Sequence, residues 1–144
     1  MKTLSITELQ ARIAVAISEM EGYTKDGSLA QRNHNPGNLR WWPGTRNVDG
    51  YAFFATPQDG WRALRRQVLT NVNRGLTLLT FFAGQRDEHG EVIKGGYHGY
   101  APRADGNYPL QYAHFVAKRV GIPVDVPLRD IVERRESQAQ LEEP

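Results

Sequence analysis

A polar loop runs through Arg32-Asn33-His34-Asn35-Pro36-Gly37-Asn38-Leu39-Arg40, and it follows an amphipathic segment that stops at Glu21-Gly22. The Pro36-Gly37 pair favours a turn, and asparagine accepts the left-handed backbone conformation that tight turns need. Three amides within six residues are more than turn formation requires. We therefore expect one or two of these amides to contact a ligand near the end of the preceding helix.

Glu21 is the candidate acid of this arrangement. The Ser5-Ile6-Thr7-Glu8 stretch fits a capping box, and Gly22 stops the predicted helix. Apolar residues recur between them at helical spacing: Leu9, Ile13, Ile17 and Met20. Since Glu21 follows Ile17 by four residues, it lies beside the buried stripe, where partial burial raises the pKa of a carboxyl group. A protonated carboxylic acid is the usual proton donor to the leaving oxygen of a glycosidic bond, so the pattern predicts sugar cleavage.

The remaining elements are predicted as short helices and one small β element. Thr56-Pro57 begins a helix that Gly75 ends, and residues 76–83 form a second helix with Thr77 as a candidate cap. Asn107 is expected to cap a third helix that ends at Gly121, and Asp125 and Pro127 to start a last one. Two aromatic runs, residues 39–42 and 51–55, predict a hairpin, and residues 87–90 form the tip of an inserted hairpin or a flexible loop. The expected fold class is α+β, mainly α, with a small β-hairpin.

Composition excludes several classes of protein. The 144 residues suit one domain, expected over residues 1–135, followed by an acidic tail over residues 136–144 that frays. Cysteine is absent, and the four histidines lack metal-binding spacing, so neither a metal nor a cofactor is expected. No apolar run approaches 18 residues, which predicts no membrane insertion. The net charge of +2, without a nucleic-acid-binding motif, predicts no nucleic-acid partner.

A second catalytic carboxylate is not evident. The candidates are Asp26, Asp49, Asp59 and Asp105. Asp59 is better explained as part of a helix cap, and Asp26 and Asp49 each precede a glycine in a turn. A one-acid mechanism then follows, in which the N-acetyl carbonyl of the substrate stabilises the developing cation.

Tyrosines near glycines are further candidates for sugar contact, because they offer flat faces and a hydroxyl group. Those flanking the glycines at 95, 96 and 99 are Tyr97, Tyr100, Tyr108 and Tyr112. Tyr112 has helical spacing with Val116, which favours core packing. Tyr100, between Gly99 and Ala101-Pro102, is the better site candidate.

The motifs resemble those of a known family. Glu21-Gly22, the run from Gly27-Ser28 to Arg40, Gly50-Tyr51-Ala52, Gly60-Trp61 and the later Tyr100-Ala101-Pro102 are similar to the lysozyme-like lytic transglycosylases of phages and bacteria. The resemblance implies a lysozyme-like fold, a peptidoglycan glycan strand as substrate, Glu21 as the single acid/base, and a 1,6-anhydro product. The residues that we expect to contact substrate are Ser28, Asn35, Asn38, Arg40, Tyr100, Asn107 and Tyr112.

Two departures from the family pattern affect the fine contacts. His34 stands where the family usually has asparagine, and residues 87–96 read as an insertion. The spacing of phage-type true lysozymes, Glu-x8-Asp-x5-Thr, is absent, because the position nine residues after Glu21 is Ala30.

Alternatives remain open at this stage. One is a hydrolytic muramidase with an aspartate helper, and another is an inactive glycan-binding or virion structural protein of the same fold. No signal-peptide pattern follows Met1, so we expect the protein to be made in the host cytoplasm. We also expect it to be a monomer. A holin or a virion would then deliver it to the cell wall.

Overall fold

The computed structural model describes residues 3–133, and the predicted acidic tail, 136–144, lies outside the described residues. The chain is mainly helical with one two-stranded antiparallel sheet, which confirms the expected α+β, mainly α class. The helices and strands are α1 (Ile6–Met20), α2 (Leu29–Arg32), β1 (Arg46–Val48), β2 (Tyr51–Phe53), α3 (Pro57–Asn73), α4 (Leu78–Ala83) and α5 (Pro109–Val120). Two 3₁₀ turns, Arg103–Asp105 and Leu128–Asp130, complete the set.

The chain divides into two compact units. The first unit is Gln10–Thr70. The second unit is Met1–Leu9 together with Asn71–Pro144, of which residues 3–9 and 71–133 are described. In the described residues no helix is both long and apolar enough to cross a membrane.

The first unit buries the apolar stripes of two long helices. From α1 these are Ile13, Ala14, Ala16 and Ile17, and from α3 they are Ala63, Leu64 and Val68. Both helices begin with the caps that the sequence predicts. The amide of Glu8 donates to Ser5 Oγ at 3.1 Å, and the amide of Asp59 donates to Thr56 Oγ1 at 3.1 Å. Each cap satisfies an amide that would otherwise have no partner in the first helical turn.

The hairpin of the first unit is tighter and later in the chain than the sequence predicts. Strand β1 is Arg46–Val48 and not residues 39–42, and Val48 pairs with Tyr51 across a two-residue loop. The loop residues Asp49 and Gly50 have φ values of 55° and 90°, which is the conformation of a type I′ turn. The turn was recognisable from Asp49-Gly50. The register follows from it, because a two-residue loop leaves one pairing of the flanking residues.

The second unit is built on the packing of α4 against α5. Its core contains Phe81, Phe82, Ala113, Val116, Leu128 and Ile131. The start of α4 carries the predicted cap as a full capping box, in which Thr77 and Thr80 exchange side-chain and backbone hydrogen bonds. The N-terminal segment joins this unit through a parallel bridge between Leu4 and Val132. There the Leu4 amide donates to the Ile131 carbonyl at 2.9 Å, and the Glu133 amide donates to the Leu4 carbonyl at 2.7 Å.

Two predicted helix starts are wrong. The residue that caps α5 is Tyr108, without a side-chain hydrogen bond, and Asn107 instead donates its amide to the Pro102 carbonyl at 3.4 Å. Pro109 explains the start, since proline is favoured in the first helical turn and needs no donor there. The expected last helix is only the 3₁₀ turn Leu128–Asp130. The following backbone pairs with Leu4 and so leaves helical geometry.

The inserted segment is a small hairpin, one of the two forms expected for it. Arg86 bridges Val92 in antiparallel fashion, and the Asp87 carboxylate accepts the amides of His89 at 2.8 Å and Glu91 at 3.1 Å. The Arg86 guanidinium also donates to the Gly90 carbonyl at 2.8 Å and to the His98 carbonyl at 3.0 Å. These bonds tie the base of the hairpin to the chain that follows it.

Candidate functional site

Glu21 is positioned by the way α1 ends. Its amide donates to the Ile17 carbonyl at 2.9 Å, and Gly22, at φ 77°, turns the chain out of the helix. The Gly22 amide donates to the Glu19 carbonyl and the Tyr23 amide to the Ser18 carbonyl, which is the bond pattern of a Schellman motif. Glu21 is therefore the last residue held by the helix. Its backbone is held by the helix end, and the residue is half-buried, as the sequence predicts.

Asn38 brings a neutral amide to this acid. Its Nδ2 lies 3.4 Å from Glu21 Oε1 and 3.4 Å from the Glu21 carbonyl oxygen. Both contacts are longer than a typical N–H···O bond, so they orient the carboxyl group more than they stabilise its charge. Asn38 has a φ of 47°, a left-handed conformation that asparagine tolerates better than most residues. Of the three loop amides, this one meets the predicted acid.

The amide oxygen of Asn38, Oδ1, has no hydrogen-bond partner among residues 3–133, although it is buried. A buried acceptor without a donor costs about 1–3 kcal/mol. This oxygen has almost no accessible surface, so a ligand beside Glu21 reaches it only if the Asn38 side chain moves. Asn38 thus contacts the acid with the nitrogen of its amide, while the oxygen stays buried.

Asn35 has a structural role. Its side chain has 0% exposure, and its Nδ2 donates to the carbonyls of Leu39 and Ala52, each at 2.9 Å. Its Oδ1 accepts the Leu39 amide at 2.9 Å. Because both ends of the amide are buried and occupied by backbone groups, the expected substrate contact of Asn35 does not fit this geometry. The residue joins the loop to strand β2.

Asn33 works in the same way. It is 2% exposed, its Nδ2 donates to the Val48 carbonyl at 3.2 Å, and its own carbonyl accepts the Phe54 amide at 2.9 Å. The loop is therefore attached to both sides of the hairpin by its first two asparagines. That attachment fixes where the third, Asn38, presents its amide.

The loop also packs closely on α3. A Cβ added at Gly60 would collide with the His34 carbonyl oxygen and would lie 2.9 Å from Pro36 Cδ. His34 itself has a φ of 51°, and its Nδ1 lies 2.9 Å from the Phe54 carbonyl, which makes Nδ1 the protonated nitrogen. The His34 side chain thus also attaches the loop to the end of the hairpin.

Ser28 and Arg40, the other expected contacts in this unit, have local partners. Ser28 caps α2, a helix that the sequence did not predict, by accepting the Gln31 amide at 3.1 Å. Arg40 is exposed, and its guanidinium carbon lies 5.3 Å from the centroid of the Tyr51 ring. Ser28 therefore serves the loop geometry. Arg40 offers a cation above an aromatic face at the edge of the loop.

Three expected contacts lie in the second unit. Tyr112 is 4% exposed and stacks on Phe82 with centroids 4.2 Å apart, so it is a core residue and not an accessible sugar contact. Tyr100 is half-buried, and its ring lies 5.8 Å from Phe81 and 6.5 Å from Tyr112. Asn107 donates to Pro102, as described above. Tyr100 is the one of the three with an aromatic face near the surface.

The four candidate aspartates have local explanations. Asp26 and Asp105 are exposed, in a turn and in a 3₁₀ turn respectively, and Asp49 is in the hairpin turn. Asp59 lies 3.3 Å from the Arg62 guanidinium. Among residues 3–133 no group of three histidine, aspartate or glutamate side chains is placed to hold a metal ion.

A cavity of about 740 Å³ in the first unit was not anticipated from the sequence. It lies between the hairpin and the start of α3, and neither Glu21 nor Asn38 lines it. Arg46, Arg62 and Arg66 border it, with the aromatic rings of Trp42, Phe53 and Phe54. The alternation of arginines and aromatic residues over residues 40–54 was the signal available in the sequence.

Comparison of the chain with known protein families, with characterised proteins and with solved structures found no match.

Proposed function

We propose that this protein cleaves the glycan strands of peptidoglycan, as a lytic transglycosylase acting on the β-1,4 bond between N-acetylmuramic acid and N-acetylglucosamine. The observation that carries the proposal is the pairing of a half-buried glutamate at a rigid helix end with the Asn38 amide. A neutral donor beside the acid suits a group that must alternate between protonated and ionised states. The mainly helical chain with its small hairpin is consistent with a lysozyme-like fold, which we include in the proposal.

In the proposed reaction Glu21 first gives its proton to the bridging oxygen, and the bond from that oxygen to C1 of the muramyl residue breaks. The carboxylate then takes the proton of the C6 hydroxyl group as its oxygen attacks C1. The product is a 1,6-anhydromuramyl end, and Glu21 returns to its protonated state without consuming water. Asn38 keeps the carboxyl group at one position through both steps.

The test is mass spectrometry of purified peptidoglycan after digestion by the wild-type protein and by Glu21→Gln. We expect anhydromuramyl ends from the wild-type protein and none from the variant, since an amide cannot donate the proton. Glu19→Gln is the matched control, because it makes the same change at the same helix end, two residues away and in another direction. Its products should equal those of the wild-type protein.

The products separate the remaining candidates. Reducing muramyl ends would replace the transglycosylase with a hydrolytic muramidase. No new ends from any of the three proteins would contradict enzymatic cleavage and favour a glycan-binding or virion structural protein. We further propose that the protein acts from a phage or prophage, reaching the wall by holin-dependent release or inside a virion. Its appearance in purified virions, or only in lysates, distinguishes these two routes.

A further inference from the structure

The cavity between the hairpin and α3 is a second place in the first unit where a ligand can bind. Its volume of about 740 Å³ is within the range typical of small-molecule sites. One wall is formed by the segment from Trp42 to Arg46 and by the end of β2, and the other by the first turns of α3. We call it the arginine groove. All of its lining residues belong to the same compact unit.

The charge of the arginine groove is strongly positive. Three guanidinium groups, those of Arg46, Arg62 and Arg66, line it against the single carboxylate of Asp59. Asp59 is already paired with Arg62 at 3.3 Å. In the described part of the chain, no hydrogen bond or ion pair occupies the side chain of Arg46 or Arg66. Two guanidinium groups are therefore available to an anion.

Arg46 is held in place without an anionic partner. Its guanidinium carbon lies 4.6 Å from the centroid of the Phe53 ring, directly across the hairpin. A guanidinium stacked on an aromatic face keeps its in-plane N–H groups free to bind a carboxylate in bidentate fashion. Arg66 follows Arg62 by four residues, which places both on one face of α3. The groove thus presents cations from both of its walls.

The floor of the arginine groove is apolar. It includes Phe53, Phe54 and Ala63, with Trp42 and Pro43 at one end. A glycan without acidic groups would leave the guanidinium groups unused, and an inorganic polyphosphate would leave the apolar residues unmatched. A short peptide with carboxylates and small alkyl side chains uses both surfaces. Charge complementarity and an apolar floor together favour this occupant.

We propose that the arginine groove binds a short acidic peptide. Resting on the proposed function, this peptide is the stem that the glycan strand carries. The carboxylates of the stem pair with Arg46 and Arg66, and its alkyl groups cover the aromatic floor. The groove therefore selects strands that bear peptides over bare glycan, while Glu21 acts on the sugar.

The test is calorimetric titration of the full chain with an N-acetylated tetrapeptide of the sequence alanine-glutamate-alanine-alanine with free carboxylates. The same peptide with glutamine and a C-terminal amide is the uncharged probe, and inorganic polyphosphate is the third. We expect saturable binding of the acidic peptide alone. In Arg46→Gln/Arg66→Gln the affinity should fall about tenfold or more, because charge-assisted hydrogen bonds are lost. Arg65→Gln, the same change at an exposed α3 position outside the groove, should bind like the wild-type protein.

The inference would be overturned if the uncharged peptide bound as tightly as the acidic one, or if polyphosphate bound more tightly. It would also be overturned if Arg65→Gln lost as much affinity for the acidic peptide as Arg46→Gln/Arg66→Gln. A second variant, Arg46→Lys, keeps the charge but not the fork or the stacking, and we expect an intermediate affinity from it. Glu21→Gln should lose cleavage but bind the acidic peptide like the wild-type protein, so the two proposals can fail separately. Cleavage without peptide binding overturns only the groove inference. If the wild-type protein binds the peptide but cleaves no peptidoglycan, the result supports binding of acidic peptides in the arginine groove and overturns the proposed function.

Discussion

At the scale of single residues, Asn38 links backbone geometry to the candidate acid. Its left-handed φ and its amide contacts to Glu21 can be separated by two substitutions. Asn38→Gly removes the amide but accepts φ 47° without strain, whereas Asn38→Ala removes the amide and adds about 1 kcal/mol of backbone strain. The pair therefore distinguishes a role in positioning the acid from a role in shaping the loop.

We expect both variants to digest peptidoglycan roughly tenfold more slowly, the scale of one lost hydrogen bond of about 1–1.5 kcal/mol. Asn38→Ala should also be about 1 kcal/mol less stable than Asn38→Gly in urea unfolding, because both lose the same amide but only alanine strains the backbone. Full activity of Asn38→Gly would show that the amide does not hold the acid.

Tyr97 gives a residue-scale prediction on pH. Burial raises the pKa of its phenol above the ordinary value of 10.0, although the side-chain interaction with Asn71 and the charge of Arg74 lower it in part. A raised folded-state pKa means that the folded protein holds this proton more tightly than the unfolded chain does. The stability that Tyr97 contributes is therefore complete below pH 10 and is lost as the pH rises through the folded-state pKa.

Wild-type protein should thus lose stability above about pH 10 relative to Tyr97→Phe, which has no phenol to ionise. Urea unfolding from pH 8 to 11 measures this difference. Tyr108→Phe, at an exposed tyrosine, controls for the substitution itself. Parallel pH profiles of wild-type protein and Tyr97→Phe would refute the prediction.

At the scale of elements, the contact between α3 and the asparagine loop depends on the absence of a side chain at Gly60. Helix propensity alone predicts that Gly60→Ala stabilises α3 by about 1 kcal/mol. The added Cβ would collide with the His34 carbonyl, which is backbone and cannot rotate away. We expect packing to dominate and the variant to be less stable by about 2 kcal/mol, as measured by urea unfolding.

Gln58→Ala is the control for Gly60→Ala, because it lies on an exposed face of the same helical turn. It should change the free energy of unfolding by less than about 0.5 kcal/mol. A stabilised Gly60→Ala would mean that the loop moves aside and that its position is not fixed by α3.

The elements that the sequence predicts well are those with local chemistry. Thr56-Pro57 and Thr77 mark helix starts, and Asp49-Gly50 marks the hairpin turn, because each acts on backbone groups two or three residues away. The sequence does not predict the short helix α2, since four helical residues carry little periodicity. The last helix was wrongly predicted because a distant partner, Leu4, pairs with that segment.

The candidate site shows the same limit. The position of Glu21 at the helix end could be predicted from helical spacing and the Gly22 stop, which are local signals. The roles of the asparagines could not be assigned, because the partners of Asn35 include Ala52, a residue on the hairpin. Sequence alone does not state which of three amides turns inward to the backbone and which faces the acid.

At the scale of the whole molecule, the modest net charge predicts that the rate of glycan cleavage depends only weakly on salt concentration. The net charge is +2, and the proposed glycan backbone is recognised by neutral groups at Glu21 and Asn38. We expect cleavage of a peptide-free glycan whose lactyl carboxylates are amidated to change less than about twofold between 50 and 200 mM salt. A protein with 6–10 phosphate contacts would instead lose roughly 10³–10⁵ in affinity for nucleic acid.

The assay compares initial rates on this amidated, peptide-free glycan with retention of labelled duplex DNA at the same salt concentrations. Tight DNA retention that falls steeply with salt would contradict the expectation of no nucleic-acid partner. The arginine groove should respond to salt separately, since its proposed ligand is charged.

The bridge between Leu4 and Val132 also has a consequence for synthesis. The two residues are roughly 130 positions apart, and at about 5–20 residues per second the ribosome makes the second some 6–26 s after the first. During that interval the N-terminal segment has no partner for its backbone groups. The second unit therefore completes its core only after almost the whole described chain has left the ribosome, and a stalled chain leaves Leu4 open to other proteins.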